Sequence, residues 1–298
     1  MNLLTLTMLV LAAPGLKAPP GCVATQGAKP GPEGHANRVI HEKTGIEMIL
    51  IPAGKFRMGS NDPGLASHVA PEREVTVARP FYMGKTEVTN GQYRRFMKAR
   101  PDYKGEDDVD PAYDLYLLHY KGKSVMSAED EYPLVWVSWH NAKAFCAWAG
   151  LALPSEAQWE YACRAGTTTR YSFGDDEGEI HKYAWADFAA DHRTHPVGTR
   201  LPNPWGLYDM HGNVWEWCVD DYIYRYENAP ADDSPRRAPN AQTKVLRGGS
   251  WSTGPGKHIE TPSWFHSTAL GSIARFNVAP GNAWHDRGFR VVLRLESP

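Results

Sequence analysis

The chain has 298 residues, of which 42% are hydrophobic, 11% aromatic and 22% charged; this is enough apolar material for a sizeable core and excludes a disordered chain. A net charge of -2, with no long block of Lys or Arg, leaves no cationic surplus to displace counterions from phosphates, so nucleic acid is not an expected partner. No apolar run approaches the roughly 18–20 residues of a membrane span, so none is expected either.

Residues 3–13 (LLTLTMLVLAA) form an apolar run of signal-peptide length, followed by small residues around Ala18. They predict a signal peptide over 1–18 and an exported protein, periplasmic or extracellular, although no Lys or Arg precedes the run. Gly21 precedes Cys22, but Pro19 and Pro20 stand where a lipid-anchor motif carries aliphatic and small residues, so no anchor is expected on Cys22. Residues 19–43, rich in Gly, Pro and Ala, predict a flexible tail, with order beginning near Thr44 and one domain filling 44–298.

Residues 47–58 (EMILIPAGKFRM) predict a strand, a turn at Pro52-Ala53-Gly54 and a second strand; 74–88 repeats the theme, so two hairpin-like units open the domain. Three helices are announced by caps. Thr89 to Gln92 and Ser155 to Gln158 are capping boxes, the second helix closing at Gly166, while between them Ser138 precedes a periodic run that Gly150 stops. Beyond Gly166 the chain is irregular and Trp-rich, with short strands at 244–251 and 288–294; so long an irregular stretch needs metal ions, buried aromatics or disulfides to pin it. Cys22, Cys146, Cys163 and Cys218 show neither CxxC spacing nor a ligand set with His, and read as buried thiols or as a disulfide of unspecified pairing. Catalytic signatures such as GxSxG, HExxH and phosphate-cradling Gly-rich loops are absent. The acidic run 175–179 and the pair His192 and His195 read as solvated loop.

Several segments together carry a resemblance: MILIPAGKFRMGS (48–60), KTEVTNGQYRRF (85–96), LPSEAQWEYACRAG (153–166), NPWGLYDMHGNVWEW (203–217), LRGGSW (246–251) and GFRVV (288–292). In this order and spacing the chain, from about Thr44 to Leu295, resembles the formylglycine-generating enzyme, or sulfatase-modifying factor, family. The resemblance implies an α+β fold related to the C-type lectin fold, low in regular secondary structure, with calcium and buried Trp holding the irregular part.

Residues 209–216 (DMHGNVWE) offer two carboxylates, a glycine and intervening carbonyls, the hard oxygen set that Ca²⁺ takes at roughly 2.3–2.6 Å. The resemblance implies that Asp209, the carbonyls of Gly212 and Val214, and Glu216 bind calcium, with Asp209 in place of the family's Asn. The alternative is a tight turn whose Trp215 and Trp217 fill the core while the carboxylates cap amides. A second family calcium position falls near Trp185 and Ala186, which offer no donor side chain.

The family oxidises a substrate cysteine through copper held by two cysteines, soft thiolates suited to Cu(I). Here Ser250 matches the active-site serine, Thr253 stands where the first cysteine belongs, and no Cys follows Cys218. Cys146 and Cys163 match family disulfide cysteines whose partners fall near Val291 and Ser272, so those disulfides cannot form. What replaces the oxidase site is a candidate ligand cleft of Trp251, His258, Trp264, His266, Arg275, Trp284 and His285. Within it His258, His266 and Glu260 or Asp286 would form the facial set that suits iron, while Arg275 could equally hold C-terminal loops by pairing with a carboxylate. The expected protein is a calcium-stabilised binding or accessory member for a peptide, glycan or partner protein. The alternatives are a divergent oxidoreductase using copper or iron, as in family members of siderophore maturation and ergothioneine synthesis, and last, formylglycine generation itself.

Overall fold

The computed structural model describes residues 15–65, 67–105, 116–122, 126–186, 190–253 and 270–295. The apolar run 3–13 lies outside them. The strands are β1 (Cys22–Ala24), β2 (Arg38–His41), β3 (Ile46–Ile51), β4 (Gly54–Met58), β5 (Arg73–Val77), β6 (Phe81–Gly84), β7 (Trp215–Asp221), β8 (Lys244–Arg247), β9 (Arg275–Val278), β10 (Arg287–Gly288) and β11 (Val292–Arg294). The α-helices are α1 (Asn90–Ala99), α2 (Trp139–Ala149), α3 (Glu156–Arg164) and the single turn α4 (Ile180–Tyr183).

Three sheets organise these strands: a five-stranded antiparallel sheet in the order β1-β2-β3-β6-β11, a four-stranded sheet in the order β10-β7-β8-β9, and the pair β4-β5. The two expected opening hairpins are not formed. β3 pairs with β2 and β6, whereas β4 pairs with β5. The reason lies between them: Pro52 has no N–H to give a ladder and breaks the run, so the chain leaves one sheet before β4 enters another.

The expected flexible tail is also overturned. β1 and β2 extend the large sheet, Cys22, Ala24 and Val39 are buried, and Leu16 and Ala18 pack against the core. The Pro and Gly residues make turns between short strands; at Gly31 a Cβ would lie 2.7 Å from a Leu50 methyl carbon, so any larger residue would have to displace that side chain.

The helices follow the caps. Thr89, Ser138 and Ser155 each close a full capping box, and α2 ends on Gly150 at φ 76. α3 ends one residue earlier than its Gly166 suggested, with Ala165 itself left-handed at φ 48. α1 and α2 pack on the large sheet through Tyr93, Phe96 and Phe145, and Tyr93 stacks on Phe145 with ring centroids 5.6 Å apart.

β7 was not foreseen: all of its residues are buried, so it lacks the alternation that betrays a strand with one wet face. It is the spine of the irregular half. Trp217 donates its indole N–H to the Val137 carbonyl at 3.1 Å and Trp159 donates to Glu216 at 2.7 Å, so both fully buried indoles are satisfied. All four cysteines are free and buried. Among the described residues buried aromatics and ion pairs do the pinning, and Cys163, whose thiol burial pushes up to about 12, donates to the Met210 carbonyl at 3.7 Å.

Candidate functional site

The turn leading into β7 bends twice through left-handed backbone, at Asp209 (φ 59) and Asn213 (φ 64), and between them Gly212 passes so close to the Trp185 carbonyl that a Cβ would sit 2.5 Å from its oxygen. This geometry carries Asp209 and Glu216 into the interior, where they are almost fully buried. Glu216 is committed to other partners: it takes Nε and Nη2 of Arg290 at 2.6 and 2.7 Å, besides the Trp159 indole. Asp209 accepts the Gly198 amide through Oδ2 at 2.7 Å, and its Oδ1 has no donor.

A third carboxyl group, which the sequence did not nominate, completes the cluster. Glu87, from the segment between β6 and α1, is 1% exposed, lies within hydrogen-bonding reach of Asp209, and has no donor on either oxygen. Burial raises Glu87 well above the usual carboxylate range, reinforced by Asp209 and Glu216, and raises Asp209 to about 6 against the lowering effect of the Gly198 amide, Arg290 and the hydrogen bond with Glu87. Three buried carboxyl groups share one buried guanidinium, Arg290; the next cation, Arg200, is half-exposed over Trp185. Ionised, the buried group holds two negative charges in excess, the charge of one divalent cation, and its open oxygens are hard donors. The residues therefore fit calcium, with the open carboxylate oxygens on Glu87 and Asp209. Glu87 and Arg290 sit in two of the motif segments, KTEVTN and GFRVV, each a charge set among apolar neighbours, which was the signal available.

The same turn positions the candidate cleft. The Asn213 carbonyl accepts the Trp251 amide at 2.9 Å, and Trp215 donates its amide to the Asp286 carbonyl at 2.8 Å. Trp251 and Trp284 both pack against His285, each with ring centroids 5.3 Å apart, and the buried Trp136 lies 5.5 Å from Trp284. Trp284 is 41% exposed at the rim. Beside this group Ser250, Ser252 and Thr253 form a hydroxyl cluster: Ser250 Oγ lies 3.0 Å from Ser252 Oγ and 3.2 Å from Thr253 Oγ1, which also accepts the Ser250 amide. Ser252 reaches Asp286 at 3.5 Å. Burial lowers the His285 imidazole below its ordinary value.

Arg275 does not belong to this cleft. It is buried on β9 and forks onto Glu156 at 2.7 and 2.9 Å, tying the four-stranded sheet to the start of α3. His258, Glu260, Trp264 and His266 lie outside the described residues. Among the described residues no three His, Cys, Asp or Glu side chains gather as a metal-binding group, so a cation at Asp209 and Glu87 needs backbone carbonyls as well, such as those of Gly212 and Val214.

The fold and the site define a mixed α+β protein with a buried carboxylate turn joined to a partly exposed aromatic cluster. Residues 36–295 match the sulfatase-modifying factor enzyme 1-like domain, and the chain belongs to the formylglycine-generating enzyme family. It is 29% identical over 285 residues to the inactive C-alpha-formylglycine-generating enzyme 2 of Bos taurus, covering 82% of this chain and 87% of that protein. It is 35% identical over 211 residues to the serine/threonine-protein kinase pkn1 of Chlamydia caviae, covering 69% of this chain but 33% of that protein, so the chain spans only a third of the chlamydial relative. Among solved structures it resembles PvdO from Pseudomonas aeruginosa, with a TM-score of 0.71 and 32% identity over 85% of this chain and 96% of that one.

Proposed function

We propose that this protein is an exported, calcium-stabilised member of the family that binds a peptide or protein segment in the Trp251–Trp284–His285 cleft and does not carry out copper-thiolate oxidation. The observation that carries this reading is the Thr253 hydroxyl, bonded to Ser250, at the position where the family carries the first of its two cysteines. Hydroxyls at neutral pH are hard, protonated and poor ligands for Cu(I), and the chain has no Cys beyond Cys218 to replace them. A relative of similar length bears the name of an inactive enzyme, in keeping with a family that retains this fold without the oxidation.

An exposed Trp over a buried aromatic layer is the kind of anchor that dominates peptide and protein recognition. A glycan is the second occupant the cleft would suit. Bound calcium would lie at Glu87, Asp209 and the adjoining carbonyls and supply charge compensation; the chain's own contribution is to hold Trp251 and Asp286 from the same turn.

The test is to offer the purified protein calcium, copper and iron in turn, with metal analysis after gel filtration and a CxPxR peptide as oxidation substrate. About one calcium per chain, no stoichiometric copper and an unchanged peptide are expected. Tight copper or iron accompanied by formylglycine would overturn the proposal.

A further inference from the structure

A second cavity lies away from the aromatic cleft and shares no residue with it. It has a volume of about 820 Å³, within the range of small-molecule sites, and is walled by the β4-β5 pair, the end of α3 with the loop after it, and the loop carrying Trp205. Its inner wall is aromatic: Tyr161 lies 5.2 Å from Phe56 and 4.9 Å, edge-on, from Trp205. Gly54 makes this possible, since a Cβ there would meet the Tyr161 hydroxyl at 2.5 Å.

The charges around the cavity are already answered within the protein. Lys55 pairs with Glu74 at 2.9 Å and Arg57 with Glu72 at 3.7 Å. Arg164 pairs with Glu160, Arg170 with Glu177, and Asp62 and Asp175 accept loop amides. The lining ammonium and guanidinium groups are thus each paired with a carboxylate, which leaves none free to select an anion, while Asp62 and Asp175 remain as acceptors for hydroxyl groups. What is open is mostly neutral polar chemistry: the Tyr161 hydroxyl, the Trp205 indole N–H and the hydroxyl of exposed Thr168 have no protein partner among the described residues, and Arg170, although paired with Glu177, keeps Nη2 buried and open as one further donor.

We propose that this cavity binds a neutral oligosaccharide. A sugar presents apolar C–H faces to aromatic rings and hydroxyls that both donate and accept, which matches an aromatic wall carrying single donors and hydroxyls. A peptide would instead find a strand edge to extend, but the side chains of β4 and β5 line this cavity, and β5 is further bridged at Thr76 to Asp232. The inference does not rest on the cleft reading above.

The experiment is a titration of the full chain with cellobiose, maltose, lactose and N,N′-diacetylchitobiose by calorimetry and saturation-transfer NMR, alongside a lysine-rich and a glutamate-rich peptide. At least one saccharide is expected to bind saturably. Thr168→Val, at an exposed position, and Trp205→Phe, which keeps an aromatic face and drops the N–H, should each weaken it about tenfold, while Leu201→Ala, at an exposed position outside the cavity, changes nothing. Circular dichroism of the variants separates this from misfolding. The proposal is overturned by no saccharide binding at millimolar concentration, by binding only of the charged peptides, or by saccharide binding lost in Trp284→Ala and kept in the two cavity variants.

Discussion

At the scale of single residues, the interior of this protein is governed by where its charges are placed. Arg290 is fully buried and bonds both oxygens of Glu216, the carbonyl of Gly84 at 3.1 Å and that of Tyr208 at 2.9 Å. Arg290→Met would leave Glu216 beside Glu87 and Asp209 with no buried counter-charge, so a loss of about 3–5 kcal/mol in urea denaturation is expected; a loss below about 1 kcal/mol would show that the cluster is not ionised as drawn. His119 makes a second prediction. Its Nε2 lies 2.8 Å from Asn90 Oδ1, and burial, with Arg94 nearby, lowers its pKa to about 3. The folded state thus refuses a proton that the unfolded chain accepts from about pH 6.5 downward. Stability is unaffected above that value and falls as pH drops from 6.5 toward 3, with a slope of up to ~1.4 kcal/mol per pH unit from this one group. His119→Gln should flatten that slope in denaturation curves taken across pH 7 to 4.

At the scale of elements, the helices were legible because their signals are local. Thr89, Ser138 and Ser155 act through their own first turn, and the structure needs nothing distant to realise them. Ser155 does more than cap, since its Oγ also donates to the Asp233 carbonyl at 2.7 Å. Thr89→Ala should therefore cost about 1 kcal/mol, and Ser155→Ala about twice that, because the partly buried Asp233 carbonyl loses its partner as well; equal losses would mean that the second bond contributes nothing. Strand pairing was less legible. Ile46–Ile51 and Gly54–Met58 were recognisable as strands, but which sheet each joins depends on residues far away: Tyr82 and Met83 for the first, Val75 for the second. β9, short and only partly buried along most of its length, and β7, buried throughout, both lack the alternation that marks a strand.

At the scale of the whole molecule, the carboxylate turn joins elements from opposite ends of the chain: Glu87 before α1, Asp209 before β7 and Arg290 before β11. If calcium neutralises them, it binds only the folded state, and at 100 times its dissociation constant it should raise stability by about 2.7 kcal/mol, visible as a calcium-dependent rise in Tm that EDTA reverses and Glu87→Gln reduces. A Tm indifferent to calcium and EDTA would remove calcium from this site. The sequence by itself determined the family, the α+β class, the capped helices, the turn at 209–216 and the missing thiolates. These are facts of local pattern or of residue identity, and they survive without knowing what packs against what. Only the tertiary structure decided that Glu216 faces Arg290 while Glu87 faces Asp209, that Arg275 serves α3 and not the cleft, and that residues 22–41 belong to the main sheet. Each of these depends on contacts between segments tens to hundreds of residues apart, where a buried charge takes whichever partner the packing brings within hydrogen-bond reach.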